Sequence, residues 1–165
     1  MPEQAPTAPG SPIADQASPG AVLAGVPGEP RRAGAEETLL AFDFGTKKIG
    51  IAIGNTLTRQ ATPMEIIHSE VRDVRFGRIA ALLREWQPQR LIVGLALAAD
   101  GGEQEATARC RRFANQLHGR FGLPVELVDE RGSSMQAQAL LGTNAPDDAA
   151  AAAVILQRYL DSLPA

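Results

Sequence analysis

The stretch Leu39-Leu40-Ala41-Phe42-Asp43-Phe44-Gly45-Thr46-Lys47-Lys48-Ile49-Gly50-Ile51-Ala52-Ile53-Gly54 decides the reading of this chain. Two apolar runs flank Gly45-Thr46-Lys47-Lys48, a spacing that predicts a β-hairpin closed by a tight, glycine-containing turn. Ala61 to Ile67 is a plausible third strand, and Pro63, which has no N–H to give to a ladder, places it at a sheet edge. The domain therefore opens with a meander of three strands.

Beyond the meander the apolar period changes. Phe76, Ile79, Ala80, Leu83 and Trp86 recur at helical spacing, and Pro88 ends that helix before a short buried strand, Arg90 to Gly94. Ala106, Cys110, Phe113 and Leu117 mark a second helix ending near Gly119, which leads through Pro124 into a strand over Val125 to Asp129. After Pro146 an alanine-rich helix runs from Asp148 to Leu160, with Ala152, Ile155 and Tyr159 on its packed face. A short helix over Ser134 to Leu141 fits between them. The order βββαβαβα predicts an α/β fold, with a mixed sheet covered by helices on both faces.

Composition narrows the class. The chain has 165 residues, room for one domain, and 44% hydrophobic content is ample for one core. Seven of the twelve prolines lie in residues 1–37, among Gly, Ala and Ser, so this segment is expected to be a disordered extension, with the folded domain over 38–165. Residues 1–37 hold five acids and two bases. The remaining residues hold fourteen of each, so the net charge of −3 belongs to the extension and a nucleic-acid partner stays open. One cysteine, Cys110, forms no intramolecular disulfide, which suits a reducing compartment. The apolar run Ala21 to Val26 is too short for a membrane span and lacks the basic flank of a signal peptide. A cytoplasmic protein with no membrane partner is expected.

Three carboxylates stand where strand ends and a helix start would gather them: Asp43 in the first strand, Glu130 after the last strand and Asp148 at the last helix. Hydrolysis of a phosphodiester by two divalent ions requires such convergence, because the ions sit roughly 3.5 to 4 Å apart. An ionised Asp43 among Leu40, Ala41, Phe42 and Phe44 needs a compensating partner, for which Mg²⁺ is suitable. Each carboxylate has another use. Asp43 can hydrogen-bond the Gly45 turn, Glu130 can pair with Arg131 at a solvated strand end, and Asp148 or Asp147 can cap the final helix. Spacing alone leaves these alternatives open.

A resemblance adds to this reading. Asp43-Phe44-Gly45-Thr46-Lys47-Lys48-Ile49-Gly50-Ile51-Ala52 resembles the first motif of the YqgF/RuvX family, nucleases of pre-16S rRNA related to Holliday-junction resolvases. Leu91-Ile92-Val93-Gly94-Leu95 with Asp100-Gly101 resembles its second motif, and Phe113-Ala114-Asn115 with Asp129-Glu130-Arg131 its third. Asp148 with Ala151, Ala152, Ile155 and Leu156 resembles its last helix, so the likeness covers residues 38–162 in the family's order. The resemblance implies a ribonuclease H-like fold and a catalytic, metal-binding triad of Asp43, Glu130 and Asp148. It also implies Mg²⁺ or Mn²⁺ in a two-metal site and cleavage of pre-rRNA near the 5′ end of 16S, or of branched DNA. Precursor ribosomal particles are further implied partners, for a monomer or a homodimer.

The chain departs from that pattern in four places. Ala96, Ala98 and Ala99 stand where the family usually carries Pro, Asn and often Met, which removes a polar contact, and Gly132 stands where it has Leu. The segment before Asp148 is shorter than usual, and Ala149 replaces a Ser. For phosphate contacts the candidates are Lys47, Lys48 and Arg131, which neighbour the carboxylates, and the helical basic residues Arg109 and Arg112. Two other functions compete with a nuclease. One is an actin-like ATPase whose phosphate loop is Asp43 to Thr46, and the other is a non-catalytic RNA- or ribosome-associated module with a degenerate site.

Overall fold

A computed structural model of the chain describes residues 22–26, 35–141 and 147–164. Its strands are β1 (Val22–Val26), β2 (Thr38–Phe44), β3 (Ile49–Asn55), β4 (Gln60–Ile67), β5 (Arg90–Leu95) and β6 (Val125–Asp129). Its helices are α1 (Arg72–Trp86), α2 (Glu105–Phe121), α3 (Ser133–Leu141) and α4 (Asp147–Ser162).

The expected meander is present. β2 pairs antiparallel with β3 from Thr38↔Asn55 to Phe44↔Ile49, and β3 pairs antiparallel with β4. Pro63 lies in the edge strand, opposite Ala52 and beside a register irregularity of the β3–β4 pairing, the setting in which a residue without an N–H is tolerated. β5 then lies parallel to β2, and β6 parallel to β5. In the order β4-β3-β2-β5-β6 only β3 runs against its neighbours, which is the ribonuclease H-like arrangement implied above.

One strand is unexpected. Val22–Val26 pairs antiparallel with β6 at the far edge of the sheet. Residues before Thr38 also enter the fold at Glu37, which is 9% exposed and bonded to Arg90. The folded part therefore includes more than residues 38–165, and a boundary drawn by proline content alone misses both features. The rest of that N-terminal segment lies outside the described residues.

Strand periodicity sorts the core into two layers, because alternate residues face opposite sides of a sheet. Leu40 and Phe42 of β2, Leu91 and Val93 of β5, and Val125 and Leu127 of β6 pack under α1 and α2, against Phe76, Ile79, Phe113 and Leu117. Leu39, Ala41, Ile92 and Val128 face the other way and pack under α4, against Ala152, Ile155, Leu156 and Tyr159. The expected face of α1 needs adjustment: Leu82 is buried, whereas Trp86, at the last turn, is exposed. The helix expected to end near Gly119 continues to Phe121, because the left-handed cap falls at Gly122, whose N–H donates to the His118 carbonyl.

Candidate functional site

The face alternation that builds the core also places the carboxylates. Asp43 shares the parity of Leu39 and Ala41 and so lies on the α4 side, at the carboxyl end of β2. Gly50 stands opposite it on β3, leaving no side chain across the strand to fill the space beside Asp43. Glu130 shares the parity of Val128, and its backbone N–H donates to the Leu95 carbonyl at 3.2 Å, which continues the β5–β6 pairing one residue past the strand.

These two carboxyl groups meet. Burial, first, and the negative charges of Asp43 and Asp129 push the Glu130 carboxyl up to about 8, and its contact with Asp43 is itself a side-chain hydrogen bond. Two carboxylates in hydrogen-bond contact must share a proton or a cation. Glu130 Oε1 is shielded from solvent and has no hydrogen-bond partner among the described residues. Space for it comes from Gly94 on β5. A Cβ there would lie 2.3 Å from Glu130 Oε1 and 2.6 Å from Ile155 Cδ1, so any larger residue would displace the carboxyl group or α4.

The motif Asp129-Glu130-Arg131 divides its labour. Asp129 is fully buried and accepts from the Arg131 guanidinium at 2.6 to 3.1 Å and from the Arg131 backbone N–H at 3.0 Å. The expected alternative of an ion pair at a solvated strand end is therefore half right. The ion pair exists, but it belongs to Asp129, and Glu130 turns inward to Asp43. Arg131 also donates to the Ala99 carbonyl at 3.0 Å, and Thr107 bonds the Ala96 carbonyl. The loop of alanines is thus held through its backbone, which needs no polar side chain at those positions.

Arg158 of α4, which nothing in the sequence singles out, donates to the Asp129 carbonyl at 3.0 Å and to Gln136 Oε1 of α3 at 3.0 Å. Its charge is the one that pulls the Glu130 carboxyl back down. Arg75 is a second residue that sequence reasoning misses. It is 6% exposed, donates to the Gly45 carbonyl at 2.7 Å and to the Ser69 carbonyl, and lies 5.3 Å from the Phe44 ring centroid. It clamps the turn that follows Asp43. Gly45 suits that turn because a Cβ would lie 2.7 Å from the Lys48 carbonyl oxygen. A helix pattern in the sequence gives no sign that an arginine on its inner face will bind a distant turn.

Asp148 lies in the first turn of α4, and Ala149 beside it shares a cavity with Lys48 and His68, so α4 begins at the end of the sheet that carries Asp43. The Asp148 side chain lies outside the described residues. Among the described residues no group of three His, Cys, Asp or Glu side chains is placed to hold a metal ion. Lys47 and Lys48 are exposed in the turn, and Arg131 is committed to Asp129. Arg109 pairs with Glu105 at 3.6 Å, while Arg112 is exposed on the same helix. No helix among the described residues is long and apolar enough to cross a membrane.

Comparison with known proteins gives a consistent result. Residues 37–162 match the family described as "RuvX: Holliday junction resolvase". A protein of Bordetella petrii named "Putative pre-16S rRNA nuclease" is 81% identical over 129 residues, covering 78% of this chain and 98% of its own length. One of the same name from Paraburkholderia phytofirmans is 51% identical over 135 residues, covering 79% of this chain and 92% of its own. Among solved structures, T. thermophilus RuvC in complex with Holliday junction substrate is similar at 18% identity and a TM-score of 0.49, covering 73% of this chain and 90% of that one.

Proposed function

Because the chain belongs to the RuvX family, we propose that it is a nuclease that hydrolyses phosphodiester bonds, acting on the precursor of 16S rRNA near its 5′ end. The observation that carries this reading is the Asp43–Glu130 carboxyl pair at the carboxyl end of the sheet, with one shielded oxygen that has no hydrogen-bond partner among the described residues. Arg158 offsets part of the charge of the pair, and the shielded Glu130 Oε1 supports the reading that a bound cation completes the site.

The pair suits a hard divalent cation such as Mg²⁺ or Mn²⁺, which takes carboxylate oxygens and offsets their repulsion. Asp43 and Glu130 would hold it, with Asp148 as the third ligand by position at the start of α4. When bound, such ions supply an activated water and charge stabilisation at the leaving oxygen. The chain's own residues do the rest. Gly94 leaves the room that Glu130 occupies, Arg75 fixes the turn behind Asp43, and Asp129 with Arg131 and Arg158 fixes the backbone that carries Glu130. The exposed lysines Lys47 and Lys48 lie in the turn after Asp43, where a phosphate backbone would pass. A cytoplasmic location and precursor ribosomal particles as partners accord with that substrate.

The family's description favours a second substrate, branched DNA. Incubation of the purified protein with Mg²⁺ or Mn²⁺ and precursor rRNA, four-way DNA junctions or single-stranded controls separates the two. Cleavage of the precursor near the 16S 5′ end, reduced at least a hundredfold in Asp43→Asn/Glu130→Gln, is the expected result. Equal cutting by wild type and double variant would show that the site is elsewhere.

A further inference from the structure

On the sheet face opposite the carboxylates, α1 and α2 enclose a cleft of about 190 Å³ lined by Arg72, Arg75, Arg109 and Arg112, with Phe44 and Phe113 in its wall. The sequence spacing explains the cluster. Arg72 and Arg75 are three residues apart on α1, and Arg109 and Arg112 three apart on α2, so each pair shares one helix face. Among the described residues the one acidic side chain in the lining is Glu70. Arg109 is partly answered by Glu105, whose side chain is 88% exposed, and Arg75 is committed to the carbonyls of Gly45 and Ser69. Arg72 and Arg112 are exposed and have no ion pair or hydrogen bond among the described residues. Four guanidinium groups line one cleft with a single carboxylate among its described residues, which gives it a positive potential that attracts an anion.

The position of the cleft says which anion. Phe44 lines it, and Phe44 is the residue after Asp43; strand alternation turns Phe44 to the α1–α2 side and Asp43 to the α4 side. The cleft and the carboxyl pair therefore flank the same strand end, one on each face, and Arg75 joins them through the Gly45 carbonyl. A chain of phosphates crossing the end of β2 would touch both.

We propose that this cleft is a phosphate subsite, in which Arg72 and Arg112, with Arg109, grip the backbone of the nucleic-acid strand beside the bond to be cut. Planar guanidinium groups suit this role because each offers paired donors to phosphate oxygens. The contact carries no base information, so it serves RNA or DNA and sets the register of the strand rather than its sequence. The inference rests on the nuclease reading and adds to it where the flanking strand lies.

The test measures binding by fluorescence anisotropy of labelled single-stranded RNA and of a four-way DNA junction, in EDTA to prevent cutting, across a salt series. Arg72→Ala/Arg112→Ala is expected to bind at least tenfold more weakly at low salt. Its slope of log affinity against log salt should be shallower by roughly 0.7 to 0.9 for each phosphate that the variant no longer neutralises. Arg84→Ala, an exposed arginine at the far end of α1, removes a charge elsewhere and should bind like wild type. Wild-type affinity and slope in the double variant, with wild type still cutting nucleic acid, would overturn the subsite and leave the nuclease standing. If wild type neither binds nor cuts any of these substrates, the nuclease reading fails and the subsite with it. AMP and inorganic phosphate, titrated as competitors, separate a strand from a small anion. Weak millimolar competition fits a strand site, whereas tight AMP binding that leaves strand affinity untouched refutes it.

Discussion

The α4 side of the sheet carries carboxylates at both ends, and the two ends treat them oppositely. At the amino end Glu37 and Glu126 flank Arg90, at 3.1 and 3.0 Å, and Tyr159 of α4 donates to Glu126 at 3.0 Å. Every charge there has an answer within the chain. At the carboxyl end Asp43 and Glu130 face each other, and Glu130 keeps a shielded oxygen without a hydrogen-bond partner among the described residues. The same face, the same helix and the same residue types thus make a structural joint at one end and a binding site at the other. What separates them is the first neighbour each acidic group meets: an arginine at the amino end, and a second carboxyl group at the other.

That contrast can be broken from either side. The largest effect is expected at the amino end: Arg90→Ala strands two carboxylates around a 5% exposed position and should cost about 3 to 5 kcal/mol, read by urea denaturation.

At the carboxyl end the same kind of change should do the reverse. Glu130 holds its proton up to about pH 8 in the folded chain, against an ordinary value of 4.5. Below 4.5 folded and unfolded chains are both protonated there and the site costs nothing. Between 4.5 and about 8 only the folded chain keeps the proton, so the stability of metal-free protein falls as pH rises through that window and levels off above it. Glu130→Gln should flatten this dependence and stabilise the protein at pH 8 by an amount on the order of a few kcal/mol. Thermal melts across pH in EDTA would show it, and a melting temperature as steep in pH as that of wild type would contradict it. Added Mg²⁺ should raise the wild-type melting temperature and leave that of Glu130→Gln less changed.

Gly94→Ala tests the space rather than the charge. Its Cβ would meet both Glu130 and Ile155, so a destabilisation of about 1 to 3 kcal/mol is expected, together with a weaker stabilisation by Mg²⁺ in the same melts. The smallest effect belongs to a pair that is answered but exposed. Arg78 and Glu65 meet at 2.7 Å with side chains 45% and 27% exposed, and Glu65→Ala should change stability by less than about 1 kcal/mol in urea.

Much of the fold is legible from local pattern. The change of apolar period from two to helical, with Gly and Pro as punctuation, is a property of neighbours in sequence, so the meander, the helices and the edge position of Pro63 can be read directly. Parity along β2 places Asp43 on one face and Phe44 on the other for the same reason. The N-terminal strand is hidden because Val22–Val26 sits among prolines and glycines and gains its pairing only from β6, a distant part of the chain. Trp86 reads as packed because helical spacing reports which residues share a face, not whether the neighbouring layer extends that far. Arg75, Arg90 and Arg158 carry no local sign of their roles, since each answers a group on a distant element.

By itself the sequence determined the order of elements, the mixed sheet and the three acidic positions, because each depends on residue type and spacing along one chain. Only the tertiary structure decided which carboxylates are answered. Asp129 and Glu130 are adjacent and alike in sequence, yet one points to Arg131 and the other to Asp43, since alternate strand residues face opposite sides and meet different partners. Charge pairing is a matter of distances between elements, and those exist only once the chain has folded.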